Sequence, residues 1–92
     1  MSDLGQQEQS HRFAQERARL RQRMGEVAAA VAETEEQFAS TLEDMAEHRP
    51  PTDAERLREH AEEARDYAAK ERDRAASYRA GSGEDTERRA WR

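Results

Sequence analysis

Large apolar side chains recur three and four residues apart through the first half of the chain, where no proline occurs from Ser10 to His48. In heptad notation, one seam position holds Arg17, Met24, Val31, Phe38 and Met45, and the other holds Phe13, Leu20, Val27, Thr34 and Thr41. This spacing is typical of a helix packed along its length and not of a strand. The pattern predicts a first helix over about residues 10–48, with Gly25 lying off the seam.

Pro50 and Pro51 end this helix, because the residue before a proline avoids the helical region and a proline inside a helix clashes with the preceding turn. We expect a break over residues 49–52 and a second helix over about residues 53–80. Thr52 followed by Glu55 has the spacing of a capping box at its start. Gly81 stands where a helix C-cap is expected, and it opens a predicted flexible tail over residues 81–92. Residues 1–9 are predicted to be disordered or frayed.

The second helix carries mostly alanine along its apolar stripe. Its members recur at the same three-four spacing, interrupted by Glu71: Ala54, Leu57, Ala61, Ala64, Ala68, Ala75 and Tyr78. Small residues let a neighbouring helix approach closely, and we expect the large residues of the first helix to fill the space opposite. A short connection makes the two helices antiparallel neighbours, so the fold class is all-α, an antiparallel helical hairpin.

Composition predicts that the hairpin associates with other chains. Charged residues make up 40% of the chain and hydrophobic residues only 34%, and small chains bury little surface when alone. A dimer in the form of a coiled coil or a four-helix bundle is therefore favoured, together with an unidentified protein partner. The predicted interface residues are Phe13, Leu20, Met24, Val27, Val31, Phe38, Leu42, Met45, Leu57 and Tyr78.

Charge is distributed unevenly along the first helix. Residues 12–23 hold five arginines and one glutamate, whereas residues 26–47 hold seven acidic residues and no basic one. One hypothesis is that two copies of the first helix pack antiparallel about a centre near Ala29, which lays the basic segment along the acidic one. The competing arrangement packs the first helix against the second only, with a partner protein completing the bundle. The residues with a predicted partner-binding role are Arg17, Arg19, Arg21, Arg23 and Trp91.

The sequence offers no pattern typical of an enzyme. It has no cysteine and no phosphate-binding glycine loop. His48 and His60 have acidic residues at helical spacing, but Met45 and Leu57 stand where a di-iron bundle requires glutamate. We therefore expect no catalytic activity, no cofactor, no metal and no small-molecule substrate.

The predicted function is that of a non-catalytic coiled-coil interaction protein, an adaptor, assembly factor or regulator. The alternative is a small DNA-associated regulator or antitoxin-like protein that uses the basic segment 12–23. Residues 1–10 lack the basic start and apolar stretch of a signal peptide, and the longest apolar run, residues 27–32, is too short to span a membrane. A cytoplasmic protein is expected, and the excess of arginine over lysine indicates a GC-rich bacterial genome.

Overall fold

The computed structural model describes residues 2–81, with side chains from residue 5 onward. Two helices make up this part of the chain: α1 spans Ser2–Ala46 and α2 spans Pro51–Ala80. They pack against each other in antiparallel orientation, and no strand occurs among the described residues. The predicted all-α helical hairpin is confirmed. Apart from Gly81, the predicted flexible tail over residues 81–92 lies outside the described residues.

The bounds of α1 differ from those predicted at both ends. The helix begins at Ser2, so residues 2–9 are helical where a disordered or frayed segment is predicted. Leucine, glutamine and glutamate there are good helix formers, and Gly5 opposes them. The helix ends at Ala46, before the predicted His48. Backbone N–H groups of Glu47, His48 and Arg49 bond to carbonyls three residues back at 3.2–3.3 Å, which tightens the last turn and satisfies carbonyls that the helix leaves free.

The start of α2 depends on its prolines. Pro51 is the first helical residue and Pro50 the N-cap, with φ −58° and ψ 154° and no side-chain cap. The predicted capping box of Thr52 and Glu55 is wrong, because Thr52 already lies inside the helix. Proline suits the first helical position, since its φ is fixed near the helical value and its missing N–H would have no partner there. Gly81, in contrast, is the predicted C-cap: it adopts the left-handed conformation with φ 69°, and its N–H bonds to the Tyr78 carbonyl at 3.2 Å.

The core of the hairpin consists almost entirely of small residues on both helices. The buried stripe of α1 holds Gly25, Ala28, Ala32, Ala39, Leu42 and Ala46, and that of α2 holds Ala54, Ala61, Ala64, Ala68, Glu71 and Ala75. The prediction that large residues of α1 fill the space opposite the α2 stripe is therefore wrong. Two alanine stripes let the backbones approach closely, which large side chains would prevent.

Gly25 lies off the seam of large apolar residues, as predicted, and belongs to this buried stripe. A Cβ atom at Gly25 would lie 3.4 Å from the Ala75 carbonyl oxygen and 3.7 Å from the Tyr78 Cβ. At Gly25, α1 therefore comes close to the last turns of α2 at a residue without a side chain.

Ion pairs line one edge of the α1–α2 contact. The Arg72 guanidinium donates to both oxygens of Glu36, at 2.6 and 3.0 Å, and Arg65 Nε donates to Glu43 Oε1 at 3.0 Å. The hydrogen bond from Arg72 lowers the pKa of Glu36 below its ordinary value. Exposed pairs stabilise a fold little, so their main effect is to select the register between the helices.

Candidate interaction surface

The apolar seam, defined here as Phe13, Leu20, Met24, Val27, Val31, Phe38 and Met45, lies outside the hairpin core. Phe13 and Val27 are each 62% exposed, Leu20 57% and Phe38 52%. Met24 and Met45 are each 40% exposed, and Val31 is partly buried. These large apolar side chains of α1 thus form a stripe that packing against α2 leaves exposed at every position except Val31.

Helix geometry explains why the seam and the core do not overlap. Five seam positions directly precede a buried position: 24, 27, 31, 38 and 45 stand before 25, 28, 32, 39 and 46. Successive residues of an α-helix are rotated by about 100°. The α1 helix therefore has two heptad stripes at roughly a right angle. One faces α2, and the other lies on a side of α1 next to the α2 contact, as expected of a helix with neighbours on two sides.

Two threonines continue the apolar seam between its large residues. Thr34 Oγ1 donates to the Ala30 carbonyl and Thr41 Oγ1 donates to the Gln37 carbonyl, both at 3.0 Å. Because each hydroxyl already has a partner on its own helix, neither threonine needs a polar partner from a docking surface. The threonines thus interrupt the seam less than their residue type suggests.

Part of the seam lines a shallow groove along the hairpin. Val31 and Phe38 form one wall, and His60, Glu63 and Tyr67 of α2 form the other. Tyr67 is 50% exposed, so the groove has an aromatic residue on each side. The ion pairs of Arg65 with Glu43 and of Arg72 with Glu36 involve no residue that lines the groove. These two ion pairs therefore do not cross the groove. A helix lying in this groove would contact both helices of the hairpin.

Three of the predicted interface residues belong to the hairpin itself. Leu42 is 8% exposed in a cluster with Ala39, Ala61 and Ala64, and Leu57 packs against that cluster. Tyr78 is partly buried. Leu42 and Leu57 thus contribute to the packing of α1 against α2, and a part of Leu57 and Tyr78 remains exposed.

The basic segment 12–23 lies mostly on a part of α1 that extends past the end of α2. The Arg21 Nε atom lies 3.8 Å from the position that a side chain on Gly81 would occupy, so α2 ends beside Arg21. Residues 5–20 are exposed throughout; the whole extension, residues 2–20, is about 28 Å long at the usual helical rise. Arg17, Arg19 and Arg23 are exposed and Arg21 is partly buried, whereas Trp91 lies outside the described residues.

The sequence reasoning missed the small-residue stripe of α1 and the groove residues His60, Glu63 and Tyr67. The signal for the stripe was present, since Gly25, Ala28, Ala32, Ala39 and Ala46 recur at the same three-four spacing as the alanines of α2. No comparable signal marked the groove, because its two walls come from different helices.

Metal clusters and membrane-spanning helices are two further kinds of feature that bear on function. Among residues 5–81 no group of three or more histidine or acidic side chains could hold a metal ion, and His60 has Glu63 at 3.6 Å as an exposed neighbour. Neither described helix is long and apolar enough to cross a membrane. No protein-family model, curated protein or solved structure matches the chain.

Proposed function

We propose that this chain is a non-catalytic coiled-coil interaction protein of the bacterial cytoplasm, an adaptor, assembly factor or regulator. It acts through self-association and a protein partner, and the apolar seam of α1 is the surface that binds. The observation that supports this most is the exposure of Phe13, Leu20, Val27 and Phe38 on a helix whose packing against α2 uses other residues.

The energies of the two stripes favour a bound seam. Each buried alanine contributes about one methyl group, worth roughly 0.8 kcal/mol, whereas full burial of a leucine, valine or phenylalanine is worth about 1.5–3 kcal/mol. Burying a seam residue is therefore worth more, per residue, than burying an alanine of the hairpin core. Large contiguous apolar surfaces of this kind mark interaction sites, and an α-helix with such a stripe typically lies against another helix.

The test replaces Val31 and Phe38 together by glutamine, which is a good helix former without charge. We expect the variant to lose association in sedimentation equilibrium, because apolar seam contacts are removed. Its helical circular dichroism should persist at low temperature, because the buried stripe of the hairpin is untouched.

The matched control replaces Glu33 and Ser40 by glutamine, at exposed positions off the seam. This control should associate as the natural chain does. Unchanged association of the Val31 and Phe38 variant, with its own chain and with any bound protein, would contradict the proposal.

A second candidate function is binding of DNA by the basic segment 12–23. The exposure of Arg12, Arg17 and Arg19 on the extension of α1 favours it, since arginines there can reach phosphates without hindrance from α2. Arg23, beside the end of α2, is exposed as well. The net charge of −5 opposes it. A duplex should then shift with strong salt dependence, and replacing Arg19 and Arg23 by glutamate should abolish the shift. A chain that leaves the duplex unshifted at low salt has no such function.

A further inference from the structure

We infer that the apolar seam is covered by the seam of a second copy of this chain, in antiparallel orientation and centred near Ala29. This inference rests on the proposed function and names the occupant of its surface. The structure strengthens it in one respect: six of the seven seam residues from Phe13 to Met45 are at least 40% exposed, and only Val31 is partly buried. Two seams can therefore meet along that length without unfolding either hairpin.

Charge complementarity favours the antiparallel orientation. About a centre near Ala29, residues 12–23 of one copy lie along residues 35–46 of the other. The first segment holds five arginines and one glutamate, net +4, and the second holds four carboxylates and no basic residue, net −4. Two of these carboxylates, Glu36 and Glu43, also pair with Arg72 and Arg65 of their own α2, so Glu35 and Asp44 are the ones without an α2 arginine. The segments are equal in length and opposite in charge, and the symmetry of the pair places one such contact at each end.

The apolar pairs favour this register over its neighbours. It places Phe13 opposite Met45, Leu20 opposite Phe38 and Val27 opposite Val31 of the second copy. Sliding one copy by a heptad in one direction leaves Met45 opposite Gln6. Sliding it in the other direction leaves Phe13 opposite Thr52, which belongs to α2. Only the register centred near Ala29 lets both ends of the seam bury apolar surface against apolar surface.

The parallel orientation brings like charges together. It places Arg17 against Arg17 of the second copy inside the seam, and it sets the basic segment beside the basic one and the acidic beside the acidic. Directly opposed like charges destabilise a coiled coil, and the e and g positions set the orientation of the helices. In the antiparallel register Arg17 meets Thr41, whose hydroxyl is already bonded to the Gln37 carbonyl.

Symmetry then determines where the α2 helices lie. The two-fold axis of an antiparallel helix pair is perpendicular to both helices, so it places both copies of α2 on the same side of the α1 pair. The groove edge with His60, Glu63 and Tyr67 faces the second copy in that arrangement, because these residues line the groove on the seam side of α1. The four helices close into one bundle.

Double electron–electron resonance on the full chain tests orientation and register. The chain has no cysteine, so single cysteines at the exposed positions Gln15 and Glu26 can each carry a spin label. Along the helix axis, the antiparallel register separates the two labels by about 42 Å at position 15 and by about 9 Å at position 26, at 1.5 Å per residue. A parallel dimer gives similar short distances at both positions.

Sedimentation equilibrium at increasing salt provides the second measurement. The dissociation constant of the antiparallel dimer should rise between about 0.05 M and about 0.5 M salt, because screening weakens the opposite charges. That of a parallel dimer should fall over the same range. A long distance at position 15, a short one at position 26 and weakening by salt support the inference.

The contradicting outcomes separate the inference from the proposed function. A monomer at all concentrations, or short distances at both positions, overturns the second-copy inference. Short distances at both positions leave the proposed function standing if the parallel dimer is lost when Val31 and Phe38 are replaced by glutamine. A monomer removes its self-association and leaves only partner binding, which stands if a protein partner is lost in the same variant. An unchanged dimer in that variant overturns both, because the seam would not be the contact surface.

Discussion

Phe38 and Ala39 are neighbours in the chain and lie on different faces of α1. Ala39 is fully buried against α2, and Phe38 is 52% exposed. The rotation of about 100° between successive helical residues separates them, and the same separation recurs at Val27 and Ala28. The large and the small stripe of α1 are thus independent surfaces, and substitutions can address one without the other.

Enlarging the small stripe should open the hairpin. Ala39→Leu places three more carbon atoms between helices that meet through alanines, and overpacking of this kind costs about 1–3 kcal/mol. The free energy of unfolding from urea denaturation should fall by that amount. Ala30→Leu is the matched control, because Ala30 is exposed on the same helix, and its stability should stay nearly unchanged. Equal effects of the two substitutions would show that Ala39 does not face α2.

Replacing Gly25 by alanine should raise the free energy of unfolding, whereas replacing Gly81 by alanine should lower it. A Cβ at Gly25 finds ordinary contact distances of 3.4–3.7 Å, so Gly25→Ala should raise the free energy of unfolding by about 0.5–1 kcal/mol through helix propensity. Gly81→Ala should lower it by about 1 kcal/mol, because the left-handed conformation strains a residue with a Cβ. Thermal unfolding measures both, with Gly5→Ala as a control in open space. Destabilisation by Gly25→Ala would mean that a side chain at position 25 crowds the last turns of α2.

The pair of Arg72 and Glu36 should make the hairpin contact depend on pH. Its hydrogen bond lowers the pKa of Glu36 in the folded state, so the stabilisation is complete above the ordinary carboxyl pKa. It is lost as the pH falls through the lowered pKa of Glu36. Nuclear magnetic resonance titration should find that this pKa returns toward its ordinary value in Arg72→Gln. An unchanged pKa in the variant would mean that the ion pair is absent in solution.

Removing the charge from the seam should strengthen association. Arg17 is the one charged residue at a seam position of the heptad pattern, and Arg17→Leu adds an apolar side chain there. We expect the dissociation constant of the dimer to fall about tenfold or more, since one buried leucine is worth about 1.5–3 kcal/mol. Sedimentation equilibrium measures the change, and Arg19→Leu, off the seam, should produce much less. If Arg17→Leu and Arg19→Leu lowered the dissociation constant equally, the change in net charge, and not burial at the seam, would be the cause.

Much of the local structure could be predicted from the sequence. The heptad spacing predicts α1, the alanine spacing predicts α2, Pro50 and Pro51 predict the break, and Gly81 predicts the C-cap that the structure contains. These features depend on residues close in the chain, where helix propensity, proline geometry and the freedom of glycine act directly. The predicted capping box at Thr52 is wrong because two sequence features predict different starts for α2. Thr52 and Glu55 predict a start after Thr52, whereas the fixed φ of proline favours the observed start at Pro51.

The pairing of surfaces could not be predicted in the same way. Periodicity shows which residues of α1 share a face, but α1 has two faces with the same period, and each could have packed on α2. The sequence by itself determined two amphipathic helices and a turn. Only the tertiary structure decided that the stripe from Gly25 to Ala46 meets α2, because close approach of two backbones needs small residues on both sides. That packing leaves Phe13, Leu20, Val27 and Phe38 exposed to solvent on the other face of α1.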